Sequence, residues 1–431
     1  MKITTICHAS VLVEVDGMRI LTDPWIVGPT YANNHWIYPP SKILPEDIGK
    51  VDYIFMSHGH EDHLQKYTLD RLLPYNRDTK VIIPDYKIKW WEPAVRSFGL
   101  KNTILVEHDA SLKLSDKTNI SVFINDKGDM DASLLVSNNS DNVFIQTDNL
   151  MSYEEAERIG KKFDISLSYL IPTLTGPWPT FFDFDEITMK KLSIEKRDKA
   201  ANYSFKIAKS LNTKNVIPFA CDQFHYGEDY HINDLARGDK RNYIKLFDKE
   251  DQISAILMQT GDELELIDKK INVISQTKEI PSPMDQAAWA IGMRKEFRKF
   301  EALEKKYLTE DYAEDLEYFI TSVQKAQDTW DHNYFHVRWI FFDEIRFKEI
   351  ERNTIFGEKK QDDKSNNPNL IVEIPTYRIQ NLVRGEYHMG FPTFNSGCMK
   401  VFRDNPYQVE EEKYFWDLIK NINYKNKKID D

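Results

Sequence analysis

The stretch Met56-Ser57-His58-Gly59-His60-Glu61-Asp62-His63-Leu64 decides how this chain is read. Three histidines and two acids occupy the six positions from His58 to His63, in a sequence of 431 residues that holds 11 histidines in all. The run just before it, VDYIFM, is apolar and rich in strand-forming residues, so it predicts a buried β-strand. Imidazoles and a carboxylate at the C-terminal end of such a strand stand where α/β folds keep their ligands. Converging there, they can bind two adjacent borderline metal ions, zinc or iron. The bland reading is a polar surface turn that happens to contain histidine. The joint occurrence of His58, His60, Asp62 and His63 directly after an apolar strand weighs against it.

Outward from this motif, the first 150 residues alternate like strands. ITTICH, VLVEV and MRIL come first, the last two separated by Asp16-Gly17, a dipeptide that favours a tight hairpin. KVIIP, NTILVE, NISVFI, SLLVS and NVFIQT follow, interleaved with helical stretches such as KYTLDRLL. The pattern is α/β with hairpins, hence a mixed sheet. A long helix is predicted from about Glu186 to Leu211, leading into the strand NVIPFA. Beyond Pro281-Ser282-Pro283, aromatic and charged residues recur at helical spacing to about Asn353. Two domains are therefore expected, residues 1–280 carrying the chemistry and residues 281–431 forming a helix-rich C-terminal domain.

Composition narrows the class. The net charge of −12 disfavours nonspecific nucleic-acid binding. Neither a secretory signal nor an apolar run of membrane-spanning length is present, so a cytoplasmic location without a membrane partner is expected. Cys7, Cys221 and Cys398 are scattered and form neither a disulfide framework nor a thiolate metal site.

The spacing His-x-His-x-Asp-His resembles the signature of the metallo-β-lactamase superfamily, which implies an αββα sandwich of mixed sheets. By that resemblance His58 and His60 ligate a first metal, and Asp62 and His63 a second. Asp23, in LTDPW, is expected to orient the first histidines from behind. Asp148, in NVFIQTDNL, is expected to bridge the metals, and His225 or His231 to follow the last core strand. The superfamily usually supplies a histidine where this chain reads INDKGDMDASLLV. Asp129 or Asp131 could take its place, shifting the preference from zinc toward iron or manganese. The lone His8 and His108 lie in strand-like contexts and are expected to be packed or exposed, and His332, His336 and His388 are weaker candidates still.

Within the superfamily the chain is most similar to the corresponding domain of CMP-N-acetylneuraminate hydroxylases. The similarity rests on TDPWIVGP with NNHWIYPP, MSHGHEDHL, MDASLLV before TDN, TGPWPTFF, and VIPFA with YHINDL. It spans roughly residues 1 to 268. It implies oxygen-dependent, iron-based hydroxylation of an N-acyl or sugar-nucleotide-like small molecule, with electrons supplied through a Rieske cluster. The three cysteines do not provide the paired spacings of such a cluster. A separate electron-donor protein is then required, or the chemistry differs. The alternative is a dinuclear hydrolase acting on an ester, amide, lactone or phosphate bond. Asp62 and either Asp129 or Asp131 are the expected catalytic acids. A noncatalytic binding module is a third and weaker reading.

Two loops combine Gly and Pro with aromatics, a composition suited to the walls of a small-molecule pocket. His35, Trp36, Tyr38, Trp178 and Phe181 are the substrate-binding candidates, although such aromatics also fill core edges. The C-terminal region could cover the metal cleft, hold a homo-oligomer together, or dock an electron donor.

Overall fold

The structure, a computed structural model, describes residues 1–87, 91–128, 130–173, 178–180, 182–226, 233, 240–248, 252–358, 367–387, 394, 399–403, 409–420 and 422. Its N-terminal part is built on two facing sheets. The first has eight strands, in the order Lys270–Ser275, Asp262–Ile267, Lys2–Cys7, Ser10–Val15, Met18–Thr22, Tyr53–Phe55, Lys80–Pro84 and Asn102–Val106. The strands as far as Met18–Thr22 are antiparallel, and the rest pair in parallel. Asp16 and Gly17 close the early hairpin with φ values of 49° and 79°. Two successive positive φ values match the right-handed twist of the flanking strands, and Val15 pairs with Met18 across the turn.

The second sheet has seven strands, in the order Ser254–Ala255, Asn215–Pro218, Leu167–Leu170, Asn142–Ile145, Ala132–Ser137, Asn119–Ile124 and Ser111–Lys113. Alternation along its strands separates two apolar layers. Val122, Leu134, Val136, Val143 and Ile145 point into the core shared with Ile3, Val13, Ile54 and Phe55 of the first sheet. Phe123, Leu135 and Phe144 point the other way, onto the helices Tyr153–Lys162 and Glu186–Ser210 through Ile159, Ile207 and Ala208. The helices Lys66–Leu72 and Trp91–Ser97 contribute Leu69, Leu72, Trp91 and Val95 to the first sheet's core. The result is an αββα sandwich. The long helix starts where Asp185 accepts a hydrogen bond from the Thr188 N–H at 3.0 Å, satisfying one of the free amides of its first turn.

The expected boundary falls on a cap. Ser282 accepts from Asp285 N–H and opens the helix Pro283–Gly292. Helices Arg294–Glu304 and Ala313–Lys325 follow. The helical expectation then fails: Phe335–Asp343 and Lys348–Phe356 are strands of a four-stranded sheet completed by Leu370–Pro375 and Lys400–Arg403. Phe335, Val337, Trp339 and Phe341 alternate with more exposed neighbours, a period of two that outweighs the charge-rich surroundings. These side chains form a second core with Phe319, Ile374, Ile379 and Phe415. Among the described residues, no helix is long and apolar enough to cross a membrane.

Candidate metal centre

Strand direction gathers the site. Lys2–Cys7, Met18–Thr22 and Tyr53–Phe55 run the same way, because each of the first two is antiparallel to Ser10–Val15 and the third is parallel to Met18–Thr22. They end on one edge of the sheet, where His8, Asp23 and the His58–His63 turn follow them. His8 and Asp23 take φ values of 46° and 32°, a left-handed backbone that swings the chain off the strand. From the facing sheet, Asn142–Ile145 ends at Gln146 and Thr147, with Thr147 at φ 54°, and brings in Asp148.

Among the described residues two groups of possible ligand atoms result, each within 4.8 Å: His58, His60 and Asp148, and His8, Asp62 and His63. Asp148 Oδ2 lies 3.4 Å from His63 Nε2 and 3.8 Å from His58 Nε2, so one carboxylate faces both groups. Asp131 Oδ1 stands 3.6 Å from His58 Nε2. His8 Nε2 is 3.4 Å from Asp62 Oδ2. Sequence reasoning left His8 among the packed histidines, and it does lie edge-on against Trp25. The missed signal was strand direction, which sends the residue after the first strand to the same edge as the histidine motif. The side chains of His8, His58, Asp62 and His63 are buried, whereas Asp131 and Asp148 are 18% and 29% exposed and His60 is half-buried. The centre therefore opens on the side of His60, Asp131 and Asp148.

A hydrogen-bond lattice fixes the rings. Asp23 Oδ1 accepts from the Ser57 N–H at 2.7 Å, and Oδ2 accepts from Ser57 Oγ at 2.6 Å and from His63 Nδ1 at 3.0 Å. Since the Ser57 hydroxyl proton is committed to Asp23, its oxygen accepts from His58 Nδ1 at 2.9 Å. In their neutral form both imidazoles thus carry their proton on Nδ1 and leave Nε2 on the side of Asp148, where His58 Nε2 also lies 2.8 Å from His60 Nδ1. This is how a carboxylate behind a histidine prepares it for a metal. Tyr31 donates to Asp62 Oδ1 at 2.6 Å, and Tyr86 donates to the Ser57 carbonyl at 2.6 Å.

The electrostatics agree with a cation site. Burial pushes the His58 imidazole well below its ordinary pKa, with the His63 and His60 charges adding to the effect. Burial also lowers His60. Burial would lower His63 too, but Asp148, Asp23 and Asp62 overcome it and hold that imidazole well above its ordinary value. For Asp62 burial acts upward, and the neighbouring His63 and His8 prevail and hold it well below the carboxylate range. His63 Nε2 is buried and makes no hydrogen bond of proper geometry. An orphaned nitrogen facing a shared carboxylate, within a set of imidazole and carboxylate donors, fits a borderline divalent metal.

Other sequence candidates stand outside these two groups. His225, on the strand Gln223–His225, pairs with His35 on His35–Ile37, and their rings approach to 4.1 Å. His225 belongs to neither ligand group. Burial, with His35 second, holds its pKa well below the ordinary value. Trp36 and Tyr38 are 5% and 3% exposed and share a cluster with Phe224, Phe297 and Phe300, where the C-terminal helices cover them. This places them in an aromatic core and corrects the expectation of a pocket wall. Its cause is non-local: the covering residues come from more than 250 positions later. Trp178 is exposed on one side, with the Arg403 guanidinium 4.5 Å over its ring. Asp129, Phe181 and His231 lie outside the described residues.

Comparison with known proteins bears on the same region. A family model described as a β-lactamase superfamily domain matches residues 2–146. The chain is 25% identical over 225 residues to the cytidine monophosphate-N-acetylneuraminic acid hydroxylase of Mus musculus, covering 51% of this chain and 38% of that protein. It is 23% identical over 273 residues to the same-named protein of Pongo pygmaeus, covering 62% and 46%. The chain thus spans less than half the length of these curated relatives. Among solved structures, it resembles an isothiocyanate hydrolase from Delia radicum gut bacteria at 14% identity and a TM-score of 0.45, over 62% of this chain and 99% of that one.

Proposed function

We propose that this chain, built on a metallo-β-lactamase fold, is a dinuclear metal-dependent enzyme that hydrolyses an ester, amide, lactone or phosphate bond in a small molecule. One observation carries the reading: Asp148 Oδ2 faces His63 Nε2 at 3.4 Å and His58 Nε2 at 3.8 Å, so two ligand groups share a carboxylate. His58, His60 and Asp148 would hold one ion, with Asp131 in reach. His8, Asp62 and His63 would hold the other. Divalent ions held there supply Lewis acidity and a water whose pKa falls to ~7.

The chain's own residues do the remaining work. Asp23, directly for His63 and through Ser57 for His58, keeps both rings oriented with Nε2 toward the site. Tyr31 restrains the Asp62 carboxylate. Asp131 is partly exposed beside His58 and is placed to exchange a proton between the open side and solvent. Water-based chemistry needs no further reactant beyond the substrate.

A second reading, oxygen-dependent hydroxylation of an N-acyl or sugar-nucleotide-like molecule at iron, is supported by the sequence kinship with the hydroxylases and by the carboxylate at position 131. It consumes dioxygen and two electrons from a donor protein. Metal analysis with turnover assays under strict anaerobiosis separates the two. Two equivalents of zinc with anaerobic turnover support hydrolysis. Reductant-dependent oxygen consumption at iron would replace it with hydroxylation, and failure to take up metal after repletion would remove both.

A further inference from the structure

The segment that leaves the strand Asn215–Pro218 closes over His8. Ala220 N–H donates to the His8 carbonyl at 2.9 Å, and Asp222 Oδ2 accepts from the His8 N–H at 3.2 Å. The next residue, Gln223, opens the short strand Gln223–His225, which pairs with His35–Ile37. That strand is tied down at both ends. Tyr38 N–H donates to the Asp222 carbonyl at 3.3 Å, and the Asn233 side chain bonds the N–H and the carbonyl of His225 at 2.7 Å each. Between them Phe224 is buried in the aromatic cluster with Trp36 and Phe297. Gln223 therefore extends its side chain from a backbone that is fixed from behind.

The side chain is buried beside the second ligand group. Its Nε2 stands 3.5 Å from His8 Nε2 and 3.5 Å from Asp62 Oδ2, which are themselves 3.4 Å apart. The three atoms form a nearly equilateral triangle. Donors bound to one zinc-sized ion at about 2.0–2.2 Å stand roughly 3–3.5 Å from one another, so the triangle has the dimensions of one face of a coordination shell. The other end of the amide, Oε1, is buried without a hydrogen-bond partner, the same condition as His63 Nε2 in that group. Contacts of 3.5 Å hold an amide loosely, and half a turn about its last bond exchanges oxygen and nitrogen. That turn brings the carbonyl oxygen to the triangle. We propose that Gln223 is a ligand of the ion held by His8, Asp62 and His63, through its amide oxygen. It fills the place that sequence reasoning gives to a histidine after the last core strand and that His225 does not take. With it the group offers two imidazoles, one carboxylate and one neutral oxygen, a four-donor set suited to a borderline divalent ion. This rests on the metal-centre reading above.

The test titrates metal-stripped full-length protein with cobalt(II), reading affinity and the visible absorption of each equivalent, with circular dichroism as the check on folding. Wild type should take up two equivalents. Gln223→Leu should bind the first as wild type does and the second about tenfold or more weaker, with an altered visible band for that second ion. Gln223→Glu, which keeps an oxygen at the same reach, should restore the second equivalent to wild-type affinity or tighter. A second equivalent bound by Gln223→Leu with wild-type affinity and spectrum would overturn the proposal while leaving the metal centre standing. So would a Gln223→Glu variant that is folded but as weak as Gln223→Leu, because an oxygen donor would then not be what the site lacks. Loss of fold or of both equivalents in the two variants alike would assign Gln223 a structural role and overturn it as well. Failure of wild type to bind two equivalents would instead bring down the dinuclear reading, and this inference with it.

Discussion

His8 Nε2 lies 3.4 Å from Asp62 Oδ2, joining the end of the first strand to a motif more than fifty residues later. The contact completes a buried group of three with His63. His8→Ala is therefore expected to remove one of two metal equivalents and leave the His58, His60 and Asp148 group loaded. Elemental analysis of His8→Ala beside His58→Ala checks this. Full metal content in His8→Ala would show that His8 merely packs against Trp25.

Asp23 is expected to act through the rings it orients. Asp23→Asn keeps the shape of the side chain but weakens its hold on Ser57 and His63, so metal affinity should fall about 10- to 100-fold with the fold retained. Competition with a chromogenic chelator reads the affinity, and circular dichroism the fold. An unchanged affinity would detach Asp23 from the centre.

Trp36 should behave as core. Trp36→Ala removes a buried ring from the cluster with Phe297 and Phe300, at a cost of about 3–5 kcal/mol. The conservative Trp36→Phe should cost less and leave KM unchanged. A raised KM in Trp36→Phe without loss of stability would return this residue to the pocket wall.

Behind His8, the Lys240 ammonium sits 2.8 Å from Asp222 Oδ1 with both side chains buried, and Asp222 Oδ2 accepts from the His8 N–H at 3.2 Å. Lys240→Met strands a buried carboxylate and should destabilise the protein by about 3–5 kcal/mol in urea unfolding. Adding Asp222→Asn should recover part of that loss. No recovery would mean that the Asp222 charge matters for holding the His8 backbone and not only as a partner for Lys240.

What the sequence revealed follows the range of each interaction. His58, His60, Asp62 and His63 were legible because their spacing and the preceding strand are local, and the Asp16-Gly17 hairpin because turn chemistry is local too. His8 was not, since its partners depend on how three strands are ordered in the sheet. Trp36 and Tyr38 sit among Gly and Pro like exposed loop residues, and only the distant helix carrying Phe297 and Phe300 reveals them as interior. The strand Phe335–Asp343 did carry a period of two, but the charged helical stretch ahead of it dominated the reading.

Ala32 and Phe182 place side chains from the N-terminal half inside the core of the C-terminal half. The two halves therefore cannot be exchanged like cassettes: a different C-terminal partner would strand two apolar side chains in water. Any variant that replaces one half must redraw the loops around residues 32 and 182 at the same time.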